Sequence, residues 1–335
     1  MHIQRWHWFS MLVTVVMLAA ATAGGASPAY EELGKPSIRV FKAVDHQGGQ
    51  QSWGIDQSGD GVMWFANNDG LLRFDGERWT MLSMPNGSIA RSVAVGDDGR
   101  VWVGGVGELG TIATREDGEL AFVSLLEHLP VEERDFGDVW RTFALPGGAV
   151  FWAGDRFLEW RDDRFRVLRS STHRVPWKVG DELLVNLAEG GLHRLEGGEL
   201  VAVPGGSATA TIEVMVMLRH PDGDLVLGTR AGELYRLHLS QPSEHGVGRP
   251  RLERWRTEID GVLAAGLYHG AVMPTGELVL ATPLKGAFVI DGLGRLVLRL
   301  DREEGLPDRS VWYAHVDREH GLWLALNRGL VRFDR

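Results

Sequence analysis

Aromatic, guanidinium and carboxylate side chains recur in this sequence where the chain passes into each of several short strand-like repeats. Aligning the repeats on their glycine-containing turns places Gln51, Arg91, Trp140, Trp177, Met215, Tyr268 and Trp312 at equivalent points, with Trp53, Asp138, Arg141, Glu213, His269 and Arg309 beside them. Flat rings stack on planar or sugar-like surfaces. Guanidinium and carboxylate groups make charge-assisted hydrogen bonds. Together they suit the binding of a small polar ligand, of which a glycan fragment is one example. The nearest approach to a catalytic set is Tyr268 and His269 with Arg309 and Glu213, the types that acid–base work requires.

Other motifs carry less. Gly105-x-Gly107-x-x-Gly110 has dinucleotide-loop spacing, which needs a helix beginning at the glycines. The following Thr111-Ile112-Ala113-Thr114 is β-branched and predicts a strand instead. Asp56-x-Ser58-x-Asp60-Gly61 resembles the start of a calcium loop, but Asn67 occupies the twelfth position, where a bidentate Glu belongs. His315 and His320 are badly spaced for zinc, and the chain has no cysteine to ligate a metal or form a disulfide. Glu132, Glu133 and Asp135 read as a solvated loop. No catalytic residue, metal site or cofactor is expected. The formal net charge of −10, without a Lys/Arg-dense run, argues against nucleic acid as a partner.

The first residues read as an export signal. Arg5 precedes an apolar run from Met11 to Ala21, and Ala21-Thr22-Ala23 supplies a small-x-small site. Cleavage is expected after Ala23, with Ala26 as the alternative, leaving a short leader over 24–37. The run is too short to span a bilayer. The mature chain is therefore expected to be periplasmic or secreted, with no stable membrane span.

Residues 38–335 repeat one unit. Its clearest copies are Asp60-Gly61-Val62-Met63-Trp64-Phe65-Ala66 followed by Gly70-Leu71-Leu72-Arg73-Phe74-Asp75, and Gly321-Leu322-Trp323-Leu324-Ala325 followed by Gly329-Leu330-Val331-Arg332-Phe333-Asp334. Weaker copies begin near Asp98, Gly147, Gly180, Asp222 and Gly276. Trp64 and Trp323 lie 259 residues apart over six steps, a mean of about 43, the length of a four-stranded propeller blade. Asp-Gly is a tight-turn dipeptide. Apolar runs without clean alternation suit strands covered on both faces. Trp64, Trp102, Trp152 and Trp323 are expected at one register, packing blade on blade. Only Leu125 to Arg134 offers a turn or two of helix. The prediction is an all-β, seven-bladed propeller, with six and eight blades as alternatives. The last unit lacks a fourth strand, and Ile38–Val44 resembles the outer strands of other units. Pairing of these two would close the ring.

The string Gly-x-x-Trp-x-x-x-x-x-Gly-Leu-x-Arg-Phe-Asp over Gly61–Asp75 resembles the two-component regulator propeller repeat, and Gly321–Asp334 is a second match one residue shorter before the Trp. The resemblance covers nearly all of 38–335, strongly at both ends and loosely between. It implies a periplasmic sensor module that elsewhere precedes further domains and a kinase or cyclase output. The function expected is a non-catalytic exported ligand-binding or sensor propeller lacking its own output domain, with a small polar ligand or a signalling protein as partner. The alternatives are a propeller enzyme, a lyase or glycan-active, with its site at the channel mouth, and a protein–protein scaffold.

Overall fold

The computed structural model describes residues 37–170, 174–239, 242–243, 246–247, 250–264 and 266–334. The expected signal peptide and most of the leader lie outside them. Seven four-stranded antiparallel sheets follow one another as the blades of a seven-bladed β-propeller. Their innermost strands are Ser52–Gln57, Ala90–Val95, Arg141–Leu145, Pro176–Val179, Val214–Arg219, His269–Val272 and Val311–Val316. Each runs into a hairpin turn at one face of the ring, which we call the turn face. The opposite end, where the chain crosses from one blade to the next, is the mouth.

Blade one shows how sequence makes a blade. Ser58 donates its N–H to the carbonyl of Val62, and Gly61, at φ +89°, donates to Ser58, so the Asp-Gly pair closes the hairpin. The second strand, Met63–Asn67, is buried throughout because another blade covers each face. Gly70 opens the third strand at φ +134°, and a Cβ there would lie 2.4 Å from the carbonyl oxygen of Leu82 on the fourth. Only glycine lets these strands approach so closely. The outer hairpin is shaped by Asp75, whose Oδ1 accepts from the N–H groups of Glu77 and Arg78 at 3.1 and 2.8 Å.

The N-terminal strand Ser37–Phe41 pairs with Gly329–Asp334, with Ile38 opposite Phe333 and Val40 opposite Val331, and is the fourth strand of blade seven. Phe41 sits in the seam between blades seven and one. It stacks on Trp323 at 5.4 Å and meets Phe74 at 5.5 Å and Trp79 at 5.3 Å. Blade seven is braced by buried Asp317, which accepts from Gly321 N–H at 2.6 Å, Trp323 Nε1 at 2.9 Å and Arg332 Nε at 2.7 Å.

Some details depart from expectation. Trp64, Trp102 and Trp323 stand opposite Asp56, Ala94 and His315 on their innermost strands, but Trp152 stands opposite Arg141, nearer the mouth. All four are buried between blades. Leu125–Arg134 holds two 3-10 turns, Leu126–His128 and Val131–Glu133, and short α-helices appear at Ala43–His46 and Asp260–Leu263. Blade five carries a two-stranded excursion, Pro242–Ser243 with Gly246–Val247, between its third and fourth strands. The Gly105–Gly110 segment runs from the end of Val101–Gly105 into the strand Leu109–Thr114, without the helix that a phosphate loop needs. Among the described residues no helix is long and apolar enough to cross a membrane.

Candidate functional site

The innermost strand of each blade has no neighbour on its inner edge, so its N–H and C=O groups face the channel and need other partners. Side chains from adjacent blades supply several. Asp56 Oδ2 accepts from Val95 N–H at 2.7 Å, His269 Nδ1 accepts from Ala314 N–H at 3.3 Å, and Lys178 Nζ donates to the Ala144 carbonyl at 3.1 Å. Polar residues on these strands thus tie blade to blade around the axis.

At the mouth, four innermost strands carry a bulge, with Trp53, Arg91, Met215 and Trp312 as the extra residues in blades one, two, five and seven. A bulge re-aims the side chain it adds. Trp140 and Tyr268 precede the first paired residues of blades three and six. Five of these six converge, while Met215 is buried in the hydrophobic core. The Trp53 ring lies 5.6 Å from Trp312 and 6.2 Å from Trp140, and Tyr268 meets Trp312 edge-on at 4.8 Å. Arg91 lies between the faces of Trp53 and Trp140, at 4.4 and 4.9 Å, and bonds Asp138 at 2.5 Å. Asn68 and Asn327 hold the indole N–H groups of Trp53 and Trp312 at 2.8 and 2.7 Å.

A second layer lies directly beneath. Tyr313 stacks on His269 at 3.7 Å, and Trp177 of blade four reaches across to His269 at 4.9 Å. Arg141 is centred among Trp177, Tyr268 and Tyr313, 5.6 to 5.8 Å from each ring. The mouth is therefore filled by two layers of rings and guanidinium groups.

A cavity of about 700 Å³ occupies the channel, walled by all seven innermost strands and bounded at the mouth end by Trp53 and Arg91 of the outer layer and Arg141, Trp177, His269 and Tyr313 of the inner one. Asp56, Lys178, Arg219 and His315 line it, and its wall continues to Gly180, Pro221, Gly223, Pro274 and Gly276 at the turn face. Burial shifts four groups around it, Asp56, His269, Tyr313 and His315, toward their neutral forms. The Asp56 carboxyl is raised, with His315 and two backbone N–H groups opposing. His315 is lowered despite Asp56 and Asp317, and His269 is pushed well below its ordinary value by burial and then by Arg141. Burial raises the Tyr313 phenol to about 12.

The structure brings Trp53, Arg91, Asp138, Trp140, Tyr268 and Trp312 together in the outer layer, and Arg141, Trp177 and His269 in the inner one. Three expected residues lie elsewhere. Gln51 precedes the blade-one bulge by two residues, and its carbonyl accepts from Asn67 Nδ2 and Asn68 N–H. Glu213 is exposed and paired with Arg230 at 2.9 Å. Arg309 lines a separate groove with Gln50, Arg302, Asn327 and Arg328. The nearest approach to a catalytic set, Glu213, Tyr268, His269 and Arg309, is thus spread over three places. Asp56, Lys178, Tyr313 and His315 were not anticipated. Gly54 and Asp56, like Tyr313 and His315, lie two apart, so the strand period counted inward from the mouth would have found them. Among the described residues no group of three or more His, Asp or Glu side chains is arranged to hold a metal ion.

No family model matches the sequence, and no curated protein does. Solved structures match the fold. The extracellular domain of BT4673 from B. thetaiotaomicron, assigned to a one component system, superposes with a TM-score of 0.63 at 15% identity, over 90% of this chain and 40% of that one. The extracellular domain of BT3049 from B. thetaiotaomicron, assigned to a hybrid two component system, gives 0.62 at 16%, over 88% and 41%. This chain spans about two fifths of those domains. A streptogramin B lyase gives 0.62 at 15% identity, over 89% of this chain and 97% of that one. At such identities the likeness is one of fold.

Proposed function

We propose that this chain is an exported ligand-binding propeller serving as the input module of a two-component-type signalling system. The observation that carries the reading is the channel cavity, whose volume of about 700 Å³ falls among small-molecule sites. Charged and polar groups converge on it from several blades, a feature of binding sites that fix a polar ligand's orientation. The repeat resemblance and the fold shared with extracellular sensor domains support export and an input role.

The fold shared with a streptogramin B lyase keeps an enzyme in view, because one fold hosts many functions. Against it, the side chains that would form an acid–base set do not meet, and His269 is enclosed between Trp177 and Tyr313. The test is a thermal-shift and calorimetric screen of small polar compounds on the purified chain. The binding reading expects saturable binding that is lost on His315→Ala or Lys178→Ala, and no turnover. Turnover of a screened compound that His269→Ala abolishes would establish the enzyme instead.

A further inference from the structure

Arg141 is a buried cation without an anion. It is 8% exposed and lines the channel cavity. Its Nε has no partner, and its Nη1 reaches only the Trp140 carbonyl, at 3.4 Å. Asp138, three residues earlier, is bonded to Arg91. No carboxylate among the described residues pairs with Arg141. Trp177, 6% exposed on the same wall, has a buried indole N–H that is also unpartnered.

Burying a charge or a donor without a partner is unfavourable, and an acceptor that reached both groups would satisfy them. Trp64, Trp152, Arg236 and Arg254 carry unpartnered donors of the same kinds, but Arg141 and Trp177 are the two that line the channel cavity. The remaining charges agree. Lys178 and Arg219 line the same cavity. The cavity's carboxylate, Asp56, already accepts backbone N–H groups on both oxygens. In a chain of net charge −10 this channel is a basic exception. A guanidinium presents a planar fork that matches carboxylate and phosphate oxygens.

We propose that the cavity takes a small anionic ligand whose carboxylate or phosphate sits on the Arg141 fork and accepts from the Trp177 indole N–H. This rests on the reading of the cavity as the ligand site. It adds which chemistry the ligand carries and which side chains discriminate it.

The test is calorimetric titration of the full chain with matched probes: glucuronate against glucose, benzoate against benzamide, and inorganic phosphate. An anion should bind at least about tenfold tighter than its neutral partner, the weight of a charge-assisted hydrogen bond. Arg141→Met should remove that preference. Trp177→Phe, which keeps the ring and loses the N–H, should weaken the anion by about threefold to tenfold. The ligand-free melting curve of each variant confirms that it is folded. If benzoate and glucuronate are favoured and phosphate is not, the ligand is a carboxylate; the reverse makes it a phosphate. Neutral probes binding as tightly as anions, or Arg141→Met leaving anion affinity unchanged, overturns the anionic assignment and leaves the cavity as a ligand site. Failure of every probe up to millimolar concentration overturns both.

Discussion

Replacing Phe41 with Ala tests whether the strand Ser37–Phe41 holds the ring shut. Phe41 is 9% exposed, and its ring meets Phe74, Trp79 and Trp323. Those partners belong to blades one and seven, so the truncation empties the seam where blade seven meets blade one. A buried Phe→Ala change costs about 3–5 kcal/mol, the larger values arising where the surroundings cannot collapse. Here both walls are hydrogen-bonded sheets that resist collapse, and aromatic pairs add about 0.5–1.5 kcal/mol each beyond the area they bury. For a propeller of this length, roughly 2 °C of melting temperature is lost per kcal/mol, so a drop of about 6–10 °C is expected. Urea denaturation followed by tryptophan fluorescence measures the same quantity independently. Val44→Ala is the control, since Val44 is 79% exposed just beyond the strand, and it should stay within about 0.5 kcal/mol of the parent. If Phe41→Ala loses less than about 1 kcal/mol, or no more than the control, the strand does not carry the closure.

Asp317→Ala removes the acceptor of three bonds and strands Arg332 with only the partly exposed Asp334. Because the Arg332 side chain is already 19% exposed, the loss should be about 3 kcal/mol, the low end for breaking a buried pair, read from a urea midpoint. Acidification should also destabilise the fold. His269, His315 and His46 are all lowered by burial, so below the ordinary histidine value the unfolded chain binds protons that the native one refuses. Their contribution is complete above about pH 6.5 and is lost as pH falls toward their native values. Asp56, raised by burial, has the opposite sign and partly offsets this. His269→Gln should flatten the stability slope between about pH 6.5 and 5 by up to about 1.4 kcal/mol per pH unit, one proton's worth. An unchanged slope would mean that His269 is solvated in the native state.

The fold was legible because each blade repeats the same local chemistry. Asp-Gly turns, a doubly covered second strand and a glycine such as Gly70 against the outer strand are all local in sequence. The site was legible only in part, and the reason is a difference of one or two residues. Alignment on the turns points to Gln51 in blade one, but the bulge makes Trp53 the counterpart of Arg91 and Trp312. In blade four the same alignment takes Trp177 to be a rim residue, whereas it is buried one layer in, against His269. Bulges have no strong sequence signature, and with a side-chain period of two a single extra residue changes which side chains reach the axis.

That displacement changes what the aromatic residues do. A ring of exposed Trp, Tyr and Arg side chains at the mouth would offer a platform for ligand. Several of the residues found there instead bond one another: Arg91 Nε bonds Asp138 beside two indoles, and Asn68 and Asn327 hold the indole N–H groups of Trp53 and Trp312. A side chain whose polar atoms are already bonded has little to offer a ligand, whereas one with an unpartnered donor gains a full hydrogen bond on binding. By that criterion the mouth cluster offers a ligand less than the cavity wall, where Arg141 Nε and Trp177 Nε1 are without a partner. The cavity wall runs on to the short Gly- and Pro-containing turns at the opposite face. For the proposed anion site, a ligand entering from that side would pass Arg219 and then the level of Asp56, Lys178 and His315 before Arg141, so charge discrimination would fall in the buried part of the channel, where a lower dielectric strengthens it.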